Sequence, residues 1–291
     1  MTYDCLIIGG GPAGLSAALQ CKARGLSALL IGNPSGQNPL GKAERVDNYL
    51  GLPGVTGREL METFQRHVVQ SQAAQMVTGR VLNAMAYGDR FAVTVGSEVY
   101  EGRTVILAAG VARGRKYPGE EELLGCGVSY CATCDAMLYR GREVAVVGLA
   151  QDAAEEAQFL TKVGCHVTFI APKRPEDLPE DIPYIKATRL EILGENTVTG
   201  VRADDTTLPC QGVFILRDTV APDALFPGLE LDGRYIKVGR DMSTSLPGVY
   251  ACGDCVGLPL QIAKAVGEGQ VAAHNAGIWL EHKHDTKNKE E

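Results

Sequence analysis

Apolar and polar positions follow two rhythms along this chain, and the same combination of the two occurs twice. Asp4-Cys5-Leu6-Ile7-Ile8 is a short apolar run that stops at Gly9-Gly10-Gly11-Pro12-Ala13-Gly14. From Leu15 to Gly25 the apolar residues fall at helical spacing, and Ser27 to Ile31 is a second short apolar run. That order predicts strand, glycine turn, helix, strand, which is one βαβ unit with a parallel pair. The pattern returns at Glu143, with a strand over Val144–Val147, a turn over Gly148–Ala150, a helix over Ala153–Val163 and a strand over His166–Ile170. Phe91–Val95 and Thr104–Ala108, between the two copies, also read as strands. The C-terminal part reaches another glycine loop at Cys252-Gly253-Asp254 and a helix over Ile262–Leu280, after which the polar tail from His282 to Glu291 reads as disordered. The fold class expected is α/β, with two related Rossmann-like, three-layer domains.

Composition narrows this picture. The 291 residues are 45% hydrophobic and 22% charged, enough apolar material for a packed core and too much for a disordered chain. A formal net charge of −7 argues against nucleic acid as a partner, because phosphate neutralisation needs a basic face. Met1 to Gly14 lacks a positive leader and runs straight into the glycine loop, so it reads as a first strand and not as a signal peptide. No apolar run reaches the length of a membrane span. A cytoplasmic location is expected, and with it mostly reduced thiols among the nine cysteines.

Gly9, Gly11 and Gly14 fit the spacing G-x-G-x-x-G after a strand and at the start of a helix. The first glycine makes the turn, the second admits a pyrophosphate to the backbone, and the third lets helix and strand pack closely. The acidic residue that would bind a ribose after the second strand is replaced by Gly32-Asn33-Pro34, which disfavours NAD here without excluding FAD. Gly253-Asp254 offers a distant polar contact for ribitol or phosphate.

The sharpest chemical signal is Cys131-Ala132-Thr133-Cys134-Asp135. Two thiols two residues apart can close a small disulfide, and their neighbours can tune the thiolate. Zinc is the competing reading, with Cys252-x-x-Cys255 as the only formal second pair, but no metal site is expected because that pair lies in the glycine loop. The stretch Gly127 to Asp135 resembles the active-site segment of the low-molecular-weight thioredoxin reductases. So do Gly9 to Gly14, Gly36-Gln37, Val46-Asp47-Asn48, Ala108-Ala109-Gly110, and Gly253-Asp254 followed by Gln261, and the similarity runs over nearly the whole chain.

The resemblance implies an FAD domain made of residues 1–112 and 240–291, split around an inserted CxxC domain at 113–239 with a degenerate NAD(P)H fold. It implies that FAD is held by Gly9, Gly11, Pro12, Ala13, Gly14, Gly36, Gln37, Asn48, Ala109, Gly110, Gly253, Asp254, Gln261, Ile262 and Ala263. It implies a homodimer in which rotation between domains presents the pair alternately to flavin and to substrate. Cys134 would exchange electrons with FAD, Cys131 would form the mixed disulfide with thioredoxin, and Asp135 would protonate the departing thiolate.

The second βαβ unit departs from the family. Ala150 stands where its loop needs a glycine, Ala171-Pro172-Lys173 replaces the basic cluster for the NADP 2′-phosphate, and the segment that follows is shorter. Leu216-Arg217-Asp218 stands where a small residue and glycine are usual. These departures imply that pyridine nucleotide binding is lost or badly weakened, and they make the chain similar to the ferredoxin-dependent flavin thioredoxin reductases. An acidic ferredoxin would want a locally basic face, for which Arg113, Arg115, Lys116, Arg140 and Arg142 are candidates. A dithiol oxidase using oxygen, an NADPH reductase with a drifted loop and a flavin-binding module without activity remain as alternatives. Cys252, Cys255, Cys5, Cys21, Cys126, Cys165 and Cys210 are read as packing or incidental thiols. His67, His166 and His274 are not read as bases, and Trp279 is expected in the core or a dimer contact.

Overall fold

The computed structural model describes residues 1–32, 40–111, 116–150, 152–217 and 225–290, with side chains of the last helix described to Lys283. The chain divides into two compact units, one made of Met1–Ala112 with Ala221–Glu291 and the other of Arg113–Val220. The second junction falls before the expected one at 239/240. Phe226 belongs to the first unit, its ring packing edge-on against Phe91 at 6.2 Å.

The first unit is built on a sheet whose parallel part runs β3 (Gln75–Thr78), β2 (Ala28–Gly32), β1 (Thr2–Ile8), β6 (Glu98–Leu107) and β17 (Val249–Ala251). β4 (Val81–Tyr87) and β5 (Arg90–Val95) extend it as an antiparallel meander on the first half of β6. β1 is apolar without alternation because it lies in the middle of the sheet, and Cys5, Leu6 and Ile7 are fully buried. α1 (Pro12–Ala23) starts three residues before the expected Leu15, since Pro12 is pre-set for the first helical turn. Its end at Ala23 is followed by Gly25 at φ +70°, a conformation that stops the helix. α2 (Gly57–Gln70) begins with a reciprocal cap between Thr56 and Glu59.

In the second unit a five-stranded sheet runs β10 (Tyr184–Lys186), β9 (His166–Ala171), β8 (Glu143–Gly148), β14 (Gly212–Leu216), β7 (Val128–Ser129), parallel throughout. Its topological switch lies between β8 and β14, where Gly148 faces Leu216. α3 (Ala132–Asp135), capped by Cys131, holds Cys134, and α4 (Ala153–Val163) ends on Gly164 in the left-handed region. A three-stranded meander, β11 (Leu190–Gly194), β12 (Val198–Ala203) and β13 (Thr206–Pro209), completes it. The small hairpin β15 (Leu231–Asp232) and β16 (Tyr235–Ile236) belongs to the first unit.

The polar tail corrects an expectation. It continues the last helix, α5 (Ile262–Glu290), instead of ending order at His282, because Lys, Glu, Asn and His without glycine or proline do not break a helix already under way. Trp279 packs against the core of the first unit, under Gly248. No described helix is long and apolar enough to cross a membrane.

Six of the seven free cysteines are buried, and only Cys126 is exposed. Burial pushes the Cys210 thiol up to about 11 and Cys255 up to about 12, so both stay protonated and unreactive at neutral pH. In the oxidised native protein an alkylating reagent is therefore expected to label Cys126 alone. Intact mass before and after denaturation checks this, and rapid addition of two or more labels to the native protein would contradict it.

Candidate active site

The glycine loop of the first unit has the geometry that its spacing requires. Gly9 adopts φ +124°, and a Cβ there would stand 2.2 Å from Ala108 O. At Gly14 a Cβ would stand 1.9 Å from Gly9 O, so the first turn of α1 rests directly on the loop. At Gly11 a Cβ would meet none of the described residues within 4 Å, leaving the loop open to them on the side of the helix N-terminus. Closed at its first and third glycines and open at its second, this cradle fits the pyrophosphate of a dinucleotide.

Segments far apart in sequence converge on it. Ala108 N donates to Ile8 O at 2.7 Å, which seats Ala109 and Gly110 beside the loop. Cys252 N donates to Leu107 O at 2.9 Å, and a Cβ on Gly253 would meet the Ala13 Cβ at 2.8 Å. Two residues of α5 grip the Gly253 peptide. Glu268 accepts from Gly253 N at 2.9 Å, Lys264 donates to Gly253 O at 2.9 Å, and the two side chains pair at 3.0 Å. They fix the backbone next to Asp254, a task that the sequence alone does not assign to them. Their i, i+4 spacing was the one available signal. Asn48 donates to Gln261 at 2.7 Å, joining two expected cofactor residues 213 positions apart, next to Ile262 and Ala263 at the start of α5. Gly36 and Gln37 lie outside the described residues, as do Arg113 and Arg115.

In the second unit Cys131 and Cys134 form a disulfide, with Cα atoms 5.4 Å apart. Cys131 caps α3 from an extended conformation, and its sulfur accepts from Cys134 N at 3.1 Å. Ser129, buried at the end of β7, organises the turn. Its Oγ accepts from Cys131 N at 3.1 Å and donates to Asp135 Oδ2 at 2.7 Å. Glu156 on α4 accepts from Ala132 N at 3.2 Å. The two cysteines differ in access: Cys134 is exposed, and Cys131 keeps 6% of its surface.

A polar cluster absent from the sequence reading stands beside this segment. Glu120 is fully buried, and its carboxylate accepts from Arg217 Nη1 at 2.6 Å, Arg217 Nη2 at 2.8 Å, Tyr117 N at 2.8 Å and Tyr130 Oη at 2.9 Å. Burial alone would push this carboxyl up. The guanidinium, the backbone N–H and the hydroxyl outweigh it and hold Glu120 below the ordinary range. Burial also raises the Tyr130 phenol, which the adjacent carboxylate raises further.

At the second glycine loop, Gly148 is required by Phe169, whose ring would stand 2.0 Å from a Cβ there. Ala150 packs against the core of this unit. Arg174 donates to Pro179 O at 2.7 Å and lies 5.5 Å over the Tyr184 ring, so its charge serves the local turn. Lys116 pairs with Glu121, while Arg140 and Arg142 are exposed. Among the described residues, no cluster of His, Cys, Asp or Glu is placed to hold a metal ion.

Comparison with known proteins agrees with this architecture. Residues 3–269 match the profile of the pyridine nucleotide-disulphide oxidoreductases. A thioredoxin reductase of Aquifex aeolicus is 35% identical over 87% of this chain and 85% of its own length. Among solved structures, a ferredoxin-flavin thioredoxin reductase from Clostridium acetobutylicum superposes with a TM-score of 0.90 at 39% identity, covering 97% of this chain and 99% of that one. A thioredoxin reductase from Gloeobacter violaceus superposes with a TM-score of 0.81 at 34% identity, covering 97% and 95%. The chain belongs to the pyridine nucleotide-disulphide oxidoreductases, and within them to the low-molecular-weight thioredoxin reductases. It is a flavin disulfide oxidoreductase, and its cofactor is FAD.

Gly11→Ala is expected to lower the FAD content of the purified protein while leaving the unfolding temperature of the apoprotein unchanged. Gly14→Ala should lower both, because its methyl group collides with backbone. Flavin absorbance per chain and calorimetry of the apoprotein distinguish them. Arg217→Ala strands a buried carboxylate and should cost about 3–5 kcal/mol of stability in urea unfolding at pH 7. Because Glu120 is depressed in the folded state, its contribution is full above the ordinary glutamate pKa of about 4.3 and fades as pH falls through the lower folded value. Glu120→Gln should flatten that acid limb of stability against pH.

Proposed function

We propose that this protein is a ferredoxin-dependent flavin thioredoxin reductase, taking electrons from reduced ferredoxin through FAD to Cys131–Cys134 and then to thioredoxin. The observation that carries the reading is an intact redox disulfide in a unit whose nucleotide loop has Ala150 for glycine and whose switch-point strand is followed by Arg217. The likeness to the ferredoxin-flavin thioredoxin reductase of Clostridium acetobutylicum supports it.

FAD, when bound, links a one-electron donor to a two-electron disulfide couple. Two electrons and two protons convert the Cys131–Cys134 disulfide to a dithiol. Cys134, the more exposed residue of the pair, would be the one that exchanges electrons with FAD. Cys131 then attacks the thioredoxin disulfide, forming one S–S bond as the other breaks. This requires Cys131 to be uncovered, as the rotation expected for the family would do. Cys134 next attacks Cys131, which restores the internal disulfide and releases the second thioredoxin thiolate. Asp135, whose Oδ2 accepts from Ser129 at 2.7 Å, would take the proton that Cys134 gives up and pass it to that thiolate. Met137 and Leu138, both 67% exposed just after the pair, offer apolar contact to a protein substrate. Arg140 and Arg142 are the described basic candidates for docking an acidic donor.

The energetics allow this direction. A plant-type ferredoxin near about −400 mV and thioredoxin near about −270 mV differ by roughly 130 mV, or about 6 kcal/mol for two electrons. The test is anaerobic flavin absorbance of the holoprotein with oxidised thioredoxin present. Excess NADPH should leave the flavin oxidised, and reduced ferredoxin should support turnover. Rapid bleaching by NADPH would refute donor specificity, and peroxide formation without thioredoxin reduction would favour a dithiol oxidase.

A further inference from the structure

We propose that Arg217 is a positioning residue for the redox pair, acting through the Glu120 carboxylate and the Tyr130 hydroxyl to keep Cys131 within bonding reach of Cys134. The inference rests on the redox role given to that pair above.

Its basis is the way the residues before Cys131 are held. Neighbouring side chains on an extended chain point to opposite faces. Ser129 turns toward the cysteine loop, bonding Cys131 N and Asp135. Tyr130 turns the other way, and its hydroxyl reaches Glu120 at 2.9 Å. The segment entering Cys131 is therefore fixed on both faces. Glu120 is in turn held in place by Arg217, which grips both its oxygens at 2.6 and 2.8 Å, and by a further bond from Tyr117 N. The guanidinium lies 5.3 Å over the Tyr117 ring, with only 13% of the Arg217 side chain exposed.

The topology gives the brace its leverage. Arg217 directly follows β14, and β14 is paired with β7 through Phe214 and Ser129. The network thus ties the carboxyl end of one parallel strand to the residue that leads from the next strand into the disulfide. Anchoring this entry limits how far the two sulfurs drift apart once the bond is reduced. A higher effective concentration of one thiol for the other favours the disulfide and makes the couple more reducing. Weakening the brace should therefore make the potential less negative. Lysine at position 217 keeps the charge but offers no planar fork for both oxygens.

The test uses the FAD-loaded full chain equilibrated in dithiothreitol redox buffers, with the Cys131–Cys134 state read by thiol trapping and mass spectrometry. Tyr130→Phe and Arg217→Lys are each expected to lower the disulfide equilibrium constant threefold to tenfold, a rise of about 15–30 mV. Together they should shift it by less than the sum of the two, since both act through Glu120. Val201→Ala, a core change in β12, should lower the unfolding temperature without moving the potential. Wild-type potentials in both brace variants would overturn the proposal, and so would an equal shift in Val201→Ala. No ferredoxin, thioredoxin or pyridine nucleotide enters this measurement, so a failure in donor specificity remains distinguishable from a failure here.

Discussion

Backbone approaching backbone at the start of α1 is the constraint on which the first unit depends. Gly14 lies against the carbonyl of Gly9, and Gly9 lies against that of Ala108. From the far end of the sequence, Gly269 on α5 lies against the carbonyl of Ala13, where a Cβ would stand 2.1 Å away. No side chain fits at these contacts. The glycines that make the phosphate cradle therefore also let the two ends of the chain close into one domain, and a change at Gly14 acts on fold and cofactor together. Gly11 is the exception, because its missing side chain leaves space for a ligand and not for a neighbour.

The second unit keeps the same architecture but uses it differently. Its sheet has a switch point between β8 and β14, the place where such folds hold a nucleotide. The residues around it are turned to internal tasks. Gly148 admits the Phe169 ring, Ala150 joins the core, and Arg217 closes a bidentate pair with Glu120. A buried carboxylate is stable only when its lone pairs are met, and here four donors meet them. Because one of those donors is Tyr130, the electrostatics at the switch point are joined mechanically to the Cys131–Cys134 segment.

Much of this was readable before any coordinates. The strand–glycine–helix rhythm places both βαβ units, since periodicity and glycine turns are local properties. The pairing of Cys131 with Cys134 is equally local, because two intervening residues bring the sulfurs together on one turn of helix. Reading went wrong where local composition was a poor guide. The tail after His282 is polar but contains nothing that terminates a helix, so α5 continues through it.

The sequence by itself determined the α/β class, the glycine cradle and the redox cysteines, because each depends on residues close together in the chain. Tertiary structure alone decided which distant residues serve them. Glu120 meets Arg217 across 97 positions, and Asn48 meets Gln261 across 213. Lys264 and Glu268 become a clamp only once α5 lies beside Gly253. No periodicity encodes such pairs, since their separation is set by the order in which strands assemble, and a buried charge reveals its partner only when the fold has removed water from both.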